Sequence, residues 1–213
     1  MVLQESEELF PIVDENDAPV GTERREVVHK QGLRHRSAHV LVFNSAGDLL
    51  IQLRSSLKDQ YPLYWDVSVG GHVTLGETYE QAARRELEEE LGLCGEIEFL
   101  HKTAASERTG WEFTCLYTLT TDQSPRPNPR EIATCEFVAP RSLLAEIRSG
   151  RRRATPVLER DLAFYLESTE QAGVSAPCGR RPGKSDDWAQ GPESVFKILV
   201  GATSPLALCQ WNV

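Results

Sequence analysis

The sequence predicts an α/β domain. Short apolar runs at 38–43, 49–53 and 112–120 have the length and residue types of strands, whereas 78–92 has the period of a helix together with its own start and stop signals. The chain has 213 residues, 40% of them apolar, so a single core can form without a disulfide or metal staple.

The elements follow in order. Residues 10–22 alternate weakly around Asp14-Glu15-Asn16-Asp17 and read as a hairpin. Residues 22–31 form one polar helical stretch ending at Gly32. Ala38–Phe43, the turn Asn44–Asp48 and Leu49–Leu53 give two strands. Tyr61–Tyr64 contains Pro62 and reads as loop, and Trp65–Val69 resumes as strand and runs into Gly70-Gly71. The helix at 78–92 opens with Thr78 and Gln81 at capping-box spacing and closes at Gly92, with Ala83, Leu87 and Leu91 as its core stripe. Strands at 95–101, 112–120 and 132–138 and helices at 140–148 and 156–167 complete a domain spanning 1–167. The remainder, 168–213, holds five Gly and four Pro and reads as a flexible or loosely docked tail, with a short strand expected at 195–200.

The formal charge is −9 and the pI about 5.1, which opposes adhesion to nucleic acid or to an anionic membrane. An anionic small molecule is not excluded, because local cations or bound metal can reverse the field in a cleft. Five cysteines without a CxxC pair suit reduced thiols, and the acidic N-terminal segment lacks the basic character of a leader, so a cytoplasmic protein is expected. A homodimer is among the assemblies left open.

Glu86, Glu89 and Glu90 stand at i, i+3 and i+4 on the predicted helix, so three like charges share one turn. Such a cluster is either a solvated acidic face or a site for a hard cation such as Mg²⁺ or Mn²⁺. The surrounding residues decide between the two. Gly71, Glu77, Arg85, Glu86, Leu87, Glu89, Glu90, Gly92 and Leu93 fill every defined position of a 23-residue pattern, the Nudix box. Chance matches occur with odds on the order of 10⁻¹⁰ per window. The chain therefore resembles the Nudix hydrolase superfamily.

That resemblance implies an α/β/α sandwich with a mixed sheet and a loop-helix-loop catalytic motif. It implies metal ligation by Glu86, Glu89 and Glu90, with the Gly71 backbone close to the metal, and a catalytic group of Glu89, Glu90, Arg85 and Glu112. Arg85 would orient a neighbouring carboxylate and Glu77 would steady the loop or the helix start. The substrate class is a small-molecule diphosphate.

Residues 32–36, 42–44, 52–58, Tyr61-Pro62, Trp65 and Gly70-Gly71-His72 further resemble the isopentenyl-diphosphate isomerase-like branch. In that branch Arg54 and Lys58 match cations that hold the diphosphate. His35 and His72 match metal-binding histidines, and Glu112 matches a carboxylate serving metal and proton transfer. Read from the residues alone, Arg54 and Lys58 are equally a solvated edge, and histidines placed like His35 and His72 are more often hydrogen-bonded structural groups than ligands. Gly70 occupies the position of the isomerase cysteine and Gly110 that of a second metal-binding glutamate, while the box is intact. Both departures favour hydrolysis. Glu131 and Glu136 join Glu112 as candidate general bases, and His29, His39 and His101 carry no assigned role.

Overall fold

The computed structural model describes residues 8–171. The tail from 172 onward and the strand expected at 195–200 lie outside the described residues. The chain begins with a hairpin, β1 (Leu9–Val13) and β2 (Pro19–Arg24). Its turn is closed by Asp14, whose Oδ1 accepts the amides of Asn16 at 2.8 Å and Ala18 at 2.9 Å. The second hairpin strand runs to Arg24, so the helix expected from residue 22 starts later, as α1 (Arg25–Gln31).

Next come β3 (His35–Phe43), β4 (Leu49–Arg54), β5 (Trp65–Asp66), β6 (Val69–His72), α2 (Tyr79–Leu91), β7 (Glu98–Thr103), β8 (Glu112–Thr120), β9 (Ile132–Val138), α3 (Pro140–Arg148) and α4 (Pro156–Gln171). Two expectations are corrected. The strand read at 65–69 is two short strands, so Gly70 and Gly71 lie within β6. The last helix continues to Gln171, so the boundary drawn at 167 falls inside it. Both edges were blurred for the same reason: glycine and short polar residues weaken a pattern without ending the hydrogen-bonded element.

The main sheet has seven strands in the order β5-β4-β3-β8-β7, with β6 pairing β3 and β9 pairing β4. β3 runs parallel to β8 and antiparallel to β6, which makes the sheet mixed. Strand periodicity sends alternate residues of β3 to opposite faces. Ala38, Val40 and Val42 pack with Ala82, Ala83, Leu87 and Leu91 of α2, and Leu41 and Phe43 pack with Leu143, Leu158 and Leu162 of α3 and α4. The result is the expected sandwich, helix on both faces of one sheet.

The catalytic-type helix forms as its ends dictate. Thr78 accepts the Gln81 amide and the Gln81 side chain accepts the Thr78 amide, while Gly92 closes the helix in the left-handed conformation. Asp17 ties the hairpin down by accepting from Arg36 Nε at 2.7 Å and Tyr79 Oη at 2.9 Å, across to β3 and α2.

Candidate active site

A cleft of about 1400 Å³ opens over β3 and β6, and Arg54, Lys58, Gly71, His72, Arg85, Glu86, Glu89, Glu90 and Glu112 all line it. Its walls carry two clusters of titratable groups.

The first is on α2. Arg85 is its organiser: Nε and Nη2 donate to the two oxygens of Glu77 at 2.7 and 2.9 Å, and Nη1 donates to Glu86 at 2.7 Å and Glu89 at 3.2 Å. Glu77 also accepts the Thr74 amide at 2.9 Å, so it fixes the loop before the helix, as its position implied. Although burial would raise the Glu77 carboxyl, the Arg85 bonds hold it down to about 2. Glu86 and Glu90 have the opposite character. Burial pushes Glu86 up to about 6 against the pull of Arg85. Burial and then the charge of Glu86 push Glu90 up to about 8, and its side chain accepts from the neutral Gln52 amide at 2.9 Å. A buried acid and a partly buried one, one turn apart and sharing little positive charge beyond Arg85, form a site that favours a cation. Glu89 stands apart, with its side chain 58% exposed at the cleft mouth.

Gly71 is required by this arrangement. A Cβ there would stand 2.1 Å from the carboxyl carbon of Glu86, so only glycine lets that side chain lie against β6.

The second cluster joins four elements. His29 from α1, His35 from β3, His72 from β6 and Glu112 from β8 place one ligand-type atom each within 4.8 Å of one another. His35 Nδ1 donates to the Leu33 carbonyl at 2.8 Å, which turns Nε2 toward the rest of the cluster. That Nε2 is buried without a hydrogen-bond partner, 3.5 Å from Glu112. The Nε2 atoms of His29 and His72 face each other at 3.3 Å. Burial lowers His29 and brings His72 down to about 4, so both favour the neutral, ligating form. Burial would raise Glu112, but contacts from His35 and His72 hold it well below the usual carboxylate range. Phe10 of β1 stacks on His72 at 4.4 Å between centroids and walls the cluster off. An orphaned imidazole nitrogen among three clustered rings and an ionised carboxylate suits a borderline transition metal.

The structure thus brings His35, His72 and Glu112 together and adds His29, to which sequence reasoning gave no role. Four elements supply the set, so no local spacing announces it. Arg54 donates to Asp66 at 2.8 Å and Lys58 pairs with Glu131, so both cations reach the cleft already holding an acid. Glu136 is bonded to Arg152 and does not line the cleft. Asp66 and Glu131 are further cleft residues, and Gln52 is buried against Glu90; the sequence did not single them out for these contacts.

With the geometry in place, comparisons agree on the family. The NUDIX domain model matches residues 33–158. A Nudix hydrolase of Deinococcus radiodurans is 40% identical over 167 residues, 76% of this chain and 96% of that protein. An isopentenyl-diphosphate Delta-isomerase of Nocardia farcinica is 35% identical over 170 residues, 74% of this chain and 96% of that one. A crystal structure from Deinococcus radiodurans has a TM-score of 0.66 at 36% identity, covering 73% of this chain and 98% of the other. The NUDIX domain of Shewanella oneidensis NrtR, solved with ADP ribose, shares the fold at a TM-score of 0.51 and 18% identity, over 62% and 86% of the two chains. The chain belongs to the Nudix family. It is a hydrolase of acid anhydrides, from a family acting on pyrophosphate-containing substrates. Among the described residues no helix is long and apolar enough to cross a membrane.

Proposed function

We propose that this chain is a divalent-metal-dependent hydrolase that cleaves the diphosphate linkage of a small-molecule substrate. The observation that carries the reading is the buried Glu90 and the partly buried Glu86 one turn apart on α2, both lining the cleft, with the Glu86 carboxyl laid against Gly71. Glu86, Glu90 and Glu89, with the Gly71 backbone, would hold Mg²⁺ or Mn²⁺. When bound, such an ion neutralises the diphosphate and lowers the pKa of a coordinated water.

The chain's own groups do the rest. Arg85 fixes the directions of Glu77, Glu86 and Glu89 through five hydrogen bonds, four to these carboxylates and one to the His72 carbonyl at 3.0 Å. Arg54 and Lys58 exchange part of their contact with Asp66 and Glu131 for phosphate oxygens. Glu89, exposed at the mouth, is placed to take a proton from an entering water, whereas Glu112 is committed to the histidines and is a weak base.

A second reading, isomerisation of isopentenyl diphosphate, is favoured by the histidine–Glu112 cluster and by the isomerase-named relative. Gly70, standing where that branch carries its thiol, opposes it. Phosphorus NMR with Mg²⁺ against isopentenyl diphosphate, ADP-ribose, NADH, coenzyme A and nucleoside triphosphates separates the readings. The expected result is new phosphate signals from the native chain and turnover lower on the order of a thousandfold in Glu90→Gln. Dimethylallyl product without hydrolysis selects the isomerase, and an unchanged panel overturns both.

A further inference from the structure

Beyond the two clusters the cleft floor holds a third polar group, His39. It follows His35 and Ser37 on the same face of β3. Its side chain is 7% exposed, and Nδ1 donates to Asp161 Oδ2 of α4 at 2.7 Å. Asp161 is itself 3% exposed, and its other oxygen accepts from Arg160 Nε at 2.8 Å. Burial would raise the Asp161 carboxyl, but His39 and Arg160 hold it below the ordinary range. An ionised acceptor behind the ring fixes the proton on Nδ1 and turns the Cδ2–Nε2 edge the other way.

That edge faces Gly70. A Cβ at residue 70 would stand 3.2 Å from Cδ2 and 3.6 Å from Nε2 of His39. Both residues line the cleft, and no side chain at 70 stands between the cleft and the imidazole edge. A buried imidazole–carboxylate pair carries a desolvation cost that an apolar pair of the same shape would avoid. Packing between α4 and the sheet alone does not call for it, since Leu41 and Phe43 meet Leu158 and Leu162 there without polar groups.

We propose that His39 is a substrate-contacting residue and Asp161 its positioning residue: Nε2 accepts a hydrogen bond from a hydroxyl on the organic part of the diphosphate substrate. Such a contact favours a hydroxyl-bearing organic group over a bare hydrocarbon chain. The substrate class rests on the hydrolase reading; the contact itself does not.

The test uses the full chain. Histidine ring signals are followed by NMR during titration with ADP-ribose and, separately, geranyl diphosphate, the His39 signal being the one lost in His39→Leu. Kinetics with the same two compounds and Mg²⁺ are compared for the native chain, His39→Leu, Asp161→Asn and Gly70→Ala. Gly70→Ala leaves the pair intact and only covers the ring edge, so it serves if the buried substitutions fail to fold.

The His39 signal is expected to move with ADP-ribose and not with geranyl diphosphate. The variants lose roughly tenfold in kcat/KM for ADP-ribose, chiefly through KM, with little change for geranyl diphosphate. A signal that moves in a chain that hydrolyses neither compound keeps this contact and breaks the hydrolase reading. A signal that stays still overturns the contact, whatever the turnover.

Discussion

The two walls of the cleft are built in opposite ways. The acidic wall comes from the end of β6, the loop after it and one helix: Gly71, Glu77, Arg85, Glu86, Glu89 and Glu90 fall within 20 residues. The histidine wall takes one residue each from α1, β3, β6 and β8, spread from 29 to 112. The first is organised by an arginine inside the same helix, and the second by the sheet and by Phe10 from the hairpin. A contiguous site is written as a motif, while a dispersed one exists only once the strands have paired. The walls differ in chemistry as well: oxygen ligands suit Mg²⁺ or Mn²⁺, and imidazoles suit softer divalent ions.

Substitution at the join between the walls should have the largest effect. Gly71→Ala drives a methyl into the Glu86 carboxyl, and turnover should fall on the order of a hundredfold while far-UV circular dichroism remains native. Near-normal turnover would show that Glu86 does not need its place against β6.

His72→Gln sharpens the contrast next. It should weaken Zn²⁺ or Co²⁺ binding by about 10- to 100-fold and leave Mg²⁺ affinity within about twofold, as read by calorimetry. Equal losses for both kinds of ion would mean that the walls share one metal.

Acidity should separate the walls in the metal-free protein. Folding raises Glu90 from 4.5 to about 8, so the folded state holds a proton that the unfolded chain has released. The stability this contributes is present near pH 4.5 and lost as pH rises through 8. Folding lowers His72 from 6.5 to about 4, so its contribution is present above pH 6.5 and lost as pH falls through 4; the lowered Glu112 adds a loss of the same sign in acid. Melting temperatures in EDTA should fall from pH 6.5 to 8 in the native chain and hold level in Glu90→Gln. A fall of equal size in that variant would remove Glu90 as its cause.

The smallest effect belongs to the start of α2. Thr78→Ala removes the cap and should cost about 1 kcal/mol by urea unfolding without moving metal affinity. A change in Mg²⁺ binding would show that the cap, as well as Arg85, sets the carboxylates.

Much of this was legible from residue order. The capping box, the Gly92 stop and the Ala83-Leu87-Leu91 stripe are local, and α2 forms where they place it. Arg85 and Glu77 took the supporting parts their spacing implied, because both belong to one loop and helix. His29 was illegible: it sits on a seven-residue helix with no neighbouring ligand, and only the hairpin and β6 bring it to His72. The first residues of β3 were missed because His35-Arg36-Ser37 is polar on a strand whose cleft side is itself polar. His39 went unassigned for the same reason, its partner lying on α4, 122 residues along the chain.

The extended geometry of β3 makes that strand a ruler. Residues 35, 37 and 39 mark one face at even intervals, and His72 of β6 pairs opposite 37, so two residues of strand, roughly 7 Å, separate its position from that of the Asp161-backed ring. On the reading proposed above, a substrate meeting both marks would be gauged by its length along β3 as well as by its charge.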